Sequence, residues 1–247
     1  MRQLGFSLVN GAVDQSLAQT MRDALELIAL DQERSLNEIT KIDNFMVHNP
    51  IVHDDVFFRV FENESIVAAL DALLGETSIL YAFTTSSMPP NGTNYSNRIH
   101  TDCPRIIPGY ISNVGVIVAL DDFTEENGAT YFLPRSFEVS DAPDEEIFFK
   151  DAVRVFPRRG DIVVFNARTW HLGGLNSTAS FRHAITLNAC RSYMRQRFDY
   201  PRLLGWDRAK DFSPTLRRLL GYNVRVPSSM EEYYLPPNER LYLPNQG

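Results

Sequence analysis

In the first third of the chain, apolar residues recur at helical spacing in two stretches. Leu17, Met21, Leu25 and Ile28 fall on one face between Asp14 and about Asp31, which predicts an amphipathic helix capped by Asp14. Residues 65–74 predict a second helix, with Gly75 placed to end it in a left-handed conformation. A short strand over residues 4–9 precedes both and stops at the turn pair Asn10-Gly11. Residues 35–60 hold to neither period.

After Gly75 the pattern turns to strands. Residues 79–86, 114–120, 130–133 and 182–190 are short runs rich in apolar or β-branched side chains, bounded by turns. Residues 153–156 and 162–165 flank Pro157-Arg158-Arg159-Gly160-Asp161 and predict a hairpin-like pair. With no helix between most of these strands, the pattern predicts a mainly β protein with flanking helices, built as an antiparallel barrel or sandwich. Beyond Arg191 a brief helix opens at Ser213-Pro214 and ends at Gly221. The tail from Tyr233 reads as extended and packed on the rest. Without repeats or linker-like stretches, residues 1–247 read as one domain. Its core spans about 79–191, with the N-terminal helices and C-terminal extension packed on it.

Composition narrows the function. A net charge of −7 argues against a nucleic-acid partner, which needs a basic face. Two cysteines, Cys103 and Cys190, make neither a disulfide framework nor a zinc pair. No run approaches the roughly 18 apolar residues of a membrane span, and no signal-peptide run precedes Gly11. The expectation is a cytoplasmic protein with reduced thiols, no membrane association and an oligomeric state open between monomer and homodimer.

Five histidines are available for chemistry. In Asn97-Arg98-Ile99-His100-Thr101-Asp102, an extended backbone puts an imidazole and a carboxylate side by side, with Thr101 turned away. His171, after the strand ending at Phe165, is placed to return on a neighbouring strand. Two histidines and one carboxylate leave three positions open on an octahedral Fe(II), enough for a bidentate cosubstrate and O₂. Zinc accepts the same ligand types with one open position. Arg182 follows at the start of the last core strand, suited to grip a carboxylate with two parallel hydrogen bonds. 2-Oxoglutarate has such a carboxylate at the end remote from its chelating keto acid. His183 faces the other way and reads as structural.

This ordered set resembles the phytanoyl-CoA dioxygenase family of Fe(II)/2-oxoglutarate-dependent oxygenases. The segments Ala119–Gly128, Phe132-Leu133-Pro134-Arg135-Ser136 and Arg159–Phe165 with Trp170-His171 carry the same likeness, over about residues 79–191. The resemblance implies a double-stranded β-helix, a jelly-roll, cupin-like barrel with the metal in one mouth. It implies that His100, Asp102 and His171 ligate iron and that Arg182 binds the distal carboxylate of 2-oxoglutarate, with O₂ as co-reactant. Lys41 and Thr84 match positions that contact the cosubstrate in some members. The chain departs from the pattern at Gly173, where many members carry a hydroxyl, and at Pro134-Arg135-Ser136-Phe137. Asp102 occupies the position that related halogenases leave to Ala or Gly. The implied activity is hydroxylation, desaturation, cyclisation or epoxidation of a small-molecule substrate in specialised metabolite biosynthesis. Residues 35–60, 86–98 and the segment after Arg191 are the expected pocket-forming loops. A metal-dependent hydrolase or isomerase and a non-catalytic ligand-binding jelly-roll are the alternatives, and Arg182 argues against the first of these.

Overall fold

The structure is a computed structural model that describes residue 1 and residues 3–35 and 46–240. Its strands are β1 (Phe6–Val9), β2 (Ile79–Thr85), β3 (Asn113–Ala119), β4 (Tyr131–Phe132), β5 (Val153–Arg154), β6 (Ile162–Asn166), β7 (His171–Leu172) and β8 (Ala184–Cys190). They form a five-stranded sheet in the order β1-β6-β3-β8-β2 and a three-stranded sheet in the order β5-β4-β7. Every pairing is antiparallel.

The central strands β6, β3 and β8 of the five-stranded sheet are buried on both faces, which is why they read as nearly continuous apolar runs. On its outer face, Val114, Val116, Val118, Ile185, Leu187 and Ala189 join one core with the helices α1 (Gln15–Ser35) and α2 (Glu64–Leu74). Met21 and Leu25 of α1 and Ile66 and Leu70 of α2 are the buried stripes. Both caps follow from side-chain chemistry. Asp14 Oδ1 accepts from the backbone N–H of Ser16 and Leu17, and Asn63 accepts from Ile66. Gly75 does end α2, but at φ 87° and ψ 160°, an extended mirror-image conformation open to glycine and not the left-handed helical one.

The inner face meets the three-stranded sheet. Phe132 of β4 is fully buried and stacks on Phe6 of β1 at 4.9 Å, with Phe165 of β6 at 5.2 Å. Truncating such a ring typically costs about 3–5 kcal/mol. Gly115 of β3 makes the packing fit, because a Cβ there would overlap the Phe165 ring.

Two expectations fail here. Residues 153–156 and 162–165 do not form a hairpin: β5 pairs with β4 and β6 pairs with β1 and β3, so the turn between them crosses from one sheet to the other. Local pattern marked both strands, yet the partner of each is set by which sheet has an open edge. The start of the tail is likewise neither extended nor packed at Tyr233 and Tyr234. Residues Met230–Tyr233 form a short helix, α6, capped by Ser229, and Tyr233 and Tyr234 are exposed. The Ser213 cap is found as expected, opening the helix Pro214–Leu219 (α5). Four further segments carried no clear periodicity: the short helices Glu145–Asp151 (α3) and Tyr200–Leu204 (α4), and the 3₁₀ helices Pro50–Val52 and Asp55–Val60. Among the described residues, no helix is long and apolar enough to cross a membrane.

Candidate metal centre

His100 and His171 are adjacent across an antiparallel bridge, each backbone N–H donating to the other's carbonyl at 3.0 and 2.9 Å. The bridge extends the three-stranded sheet by one chain and brings the two imidazoles together, tilted at 47° with centroids 4.1 Å apart. Asp102 turns in beside them, its Oδ1 at 3.6 Å from His100 Nε2 and 3.8 Å from His171 Nε2. One ligand atom from each of the three residues lies within 4.8 Å of the other two.

The tautomers are set by the backbone. Nδ1 of His100 lies 2.7 Å from the Arg98 carbonyl, and Nδ1 of His171 lies 2.9 Å from the Thr169 carbonyl. A carbonyl oxygen only accepts, so both Nδ1 atoms carry the proton and both Nε2 lone pairs face Asp102. Burial, and then the neighbouring His171, push the pKa of His100 down to about 4, which keeps that imidazole neutral and able to ligate. His171 also rests on aromatic rings, with Phe165 at 5.1 Å and Phe132 at 5.5 Å.

Arg168 locks the two halves together, and its role was not visible in the sequence. Its guanidinium is buried and donates to the Thr101 hydroxyl at 3.2 Å, the Cys103 carbonyl at 3.1 Å and the Val139 carbonyl. Asp102 and Cys103 also donate their backbone N–H groups to the Ala167 carbonyl. An arginine in a turn reads as solvated, and only the fold shows which carbonyls it closes on. The Pro134–Phe137 loop is closer to the site than its departure from the family pattern suggested. Ser136 Oγ accepts from the backbone N–H of Trp170, the residue before His171.

A cavity of about 400 Å³ opens from the three residues. All three expected loops contribute walls: Met46 and His48, then Tyr95 and Arg98, then Arg197 and Phe198. Thr84 lines it too, with its hydroxyl donated to the Val47 carbonyl at 3.1 Å. Thr186 and Asn188 of β8 form part of the wall and carried no signal of their own in the sequence. At Gly173 a Cβ would collide with Ser96, so the serine hydroxyl stands against the place where a side chain at 173 would begin. Lys41 lies outside the described residues.

Arg182 is fully buried, with its backbone extending the β2–β8 pairing through a bridge to Met88. It is two residues from Ala184 and four from Thr186 on the inner face of β8, just behind the cavity wall. The guanidinium covers Phe123 at 4.0 Å and makes two long bonds, at 3.4 and 3.3 Å, to the carbonyls of Asn127 and Gly128. Burial pushes its pKa down to about 9. Among the described residues, no carboxylate lies within 4 Å of it. A buried cation held by two carbonyl dipoles and an aromatic face, with no counter-charge against it among the described residues, is suited to an incoming carboxylate.

The family described as phytanoyl-CoA dioxygenase matches residues 1–184. The chain belongs to that family. It is thereby an enzyme of the non-haem iron, 2-oxoglutarate-dependent dioxygenase class, and the family uses Fe(II) and 2-oxoglutarate. An uncharacterized protein of Mycobacterium tuberculosis is 32% identical over 99% of this chain and 92% of its own length. Dioxygenase peniF of Penicillium patulum is 27% identical over 64% of this chain and 54% of its own length. The solved non-heme monooxygenase ThoJ superposes with a TM-score of 0.63 at 18% identity, covering 80% of this chain and 78% of its own. The non-heme alpha ketoglutarate dependent epimerase SnoN from nogalamycin biosynthesis has a TM-score of 0.59 at 21% identity, over 76% of this chain and 77% of its own. These likenesses identify the two facing sheets as a double-stranded β-helix.

Proposed function

We propose that this family member is an oxygenase in which His100, Asp102 and His171 hold Fe(II) and Arg182 binds the remote carboxylate of 2-oxoglutarate. It hydroxylates or otherwise oxidises a small molecule in specialised metabolism, in keeping with its likeness to SnoN, an epimerase from nogalamycin biosynthesis. One observation carries the reading. Two imidazoles, each tied through Nδ1 to a backbone carbonyl and turned Nε2-inward, face a carboxylate that no guanidinium engages among the described residues. Those three donors fit a facial set on an octahedral ion.

Bound there with 2-oxoglutarate and O₂, iron would supply the oxidising power to break a substrate C–H bond. The chain supplies position. Arg168 and the His100–His171 bridge hold the donor set, the Arg98 and Thr169 carbonyls hold the imidazole tautomers, and Phe132 and Phe165 keep water from one side of His171. Arg182 sets the reach of a diacid from the interior, and Thr84 gives the cavity wall a hydroxyl near the cosubstrate.

The test is spectroscopic. Anaerobic Fe(II) protein with 2-oxoglutarate develops a weak visible metal-to-ligand charge-transfer band. A folded, iron-loaded sample without that band would sink the cosubstrate assignment. Arg182→Ala weakens 2-oxoglutarate binding far more than iron binding, and equal loss of both would make Arg182 a structural residue.

A further inference from the structure

The cavity wall is cationic in a chain of net charge −7. Arg98 and Arg197 border it from different loops, and among the described residues Asp102 of the donor set is its one acidic residue. Both arginines are exposed at its edge. Neither has a carboxylate within 4 Å among the described residues, whereas Arg22, Arg159, Arg208 and Arg218 each do. Arg98 lies over the Tyr95 ring at 4.2 Å, and Arg197 is tethered through its backbone N–H to the Tyr81 carbonyl. Tyr81, Tyr95 and Phe198 give the same space flat apolar surfaces.

The positive character continues outward. Arg197 and Phe198 also line a neighbouring groove of about 990 Å³, where Arg195, Arg202 and Arg225 face Asp199 and Glu232. Unpaired guanidiniums beside a concave apolar wall raise the local concentration of anions and bind them through charge-assisted hydrogen bonds. The cosubstrate's remote carboxylate is assigned above to Arg182, on the core strand framework behind the wall. Arg98 and Arg197 stand on the loops at the opening.

Building on the oxygenase reading, we propose that the substrate is an anionic small molecule. Its carboxylate or phosphate is gripped by Arg98 and Arg197, and its flat apolar body lies along Tyr95 and Phe198 toward the metal centre. Their two guanidiniums set specificity and do not touch iron or 2-oxoglutarate; the part Arg98 has in the metal centre is played by its backbone carbonyl alone.

Isothermal titration of the full chain tests this, under anaerobic conditions with Fe(II) and saturating 2-oxoglutarate. The probes are 2-naphthoate, 2-naphthyl phosphate and the neutral 2-naphthol. At least one anion is expected to bind about tenfold or more tightly than the neutral ring, as hydrogen bonds to charged groups allow. Preference for one anion assigns carboxylate or phosphoryl chemistry. Arg98→Gln and Arg197→Gln each remove most of that preference, and the Lys variants retain part of it. Equal binding of 2-naphthol, no binding of either anion, or an unchanged preference in both Gln variants overturns the proposal. The same titration on metal-free Arg182→Gln protein keeps the two readings apart. Anion preference there, with no visible band in the wild type, sinks the oxygenase assignment and leaves the anion site standing. A normal band without anion preference does the reverse.

Discussion

Asp102 and Asp121 each stand beside a buried histidine, and their surroundings lead to opposite ends. Asp121 accepts from the backbone N–H of His183 at 2.8 Å and from two arginines, Arg22 Nε at 2.6 Å and Arg159 Nη2 at 3.3 Å. The His183 ring bonds Ser87 through Nδ1 at 2.8 Å, and its Nε2 has no hydrogen bond, the nearest acid being Glu26 at 3.8 Å. Among the described residues, Asp102 has no guanidinium partner, and it faces two Nε2 lone pairs. Both His100 and His183 are pushed down to about 4, chiefly by burial, so a low pKa does not separate them. The fate of the carboxylate does. One already neutralised by arginine ties the sheet to α1, and one left to imidazoles is available to a cation.

The largest expected effect breaks the contrast directly. His171→Ala removes one of three donors and abolishes stoichiometric iron retention and iron-dependent succinate formation, both readable by metal analysis and product assay. Asp121→Asn leaves iron retention intact, and an Asp121 variant that loses iron while still folded would erase the distinction. Next is Arg168→Gln, which frees the Thr101–Cys103 segment and weakens iron binding about 10- to 100-fold, as the loss of an outer hydrogen-bonding partner does. An unchanged iron affinity by competitive chelation would make Arg168 a packing residue.

Asp121→Asn itself leaves Arg22 and Arg159 without their partner and lowers stability by about 2 kcal/mol in urea unfolding. The smallest effect is a pH dependence. With its folded pKa near 4, His183 stays neutral while the unfolded chain takes up a proton below about 6.5. Fewer protons bound in the folded state mean that stability falls as pH drops from about 6.5 toward 4. Metal-free protein therefore loses on the order of 1 kcal/mol more between pH 7 and 5 than His183→Gln does. Parallel losses in the two proteins would show that His183 is not the group responsible.

The His-x-Asp pair was legible because alternation along an extended chain depends on the backbone alone. The strands, the Asp14 and Ser213 caps and the inward side of Arg182 were legible for the same reason. His171 was legible as a candidate from its place after an apolar strand, and its tautomer was not, since that depends on the Thr169 carbonyl aimed at it. The hairpin expectation over residues 153–165 failed because periodicity marks a strand and carries no information on which sheet receives it. Arg168, Thr186 and Asn188 gave no signal, since a buried arginine and two wall residues look like ordinary turn and strand positions until distant segments close around them.

By itself, then, the chain determined local direction: which residues alternate inward, where helices start, and which residue types are on hand for a metal and a diacid. Tertiary structure decided how those groups meet. It bridged His100 to His171, spent two arginines on Asp121 and, among the described residues, none on Asp102, and drew Arg98 and Arg197 to one opening from loops about a hundred residues apart. The physical reason is range. Backbone sterics and side-chain alternation act over a few residues, whereas a carboxylate's charge balance is set by whatever the packed core brings within about 4 Å of it.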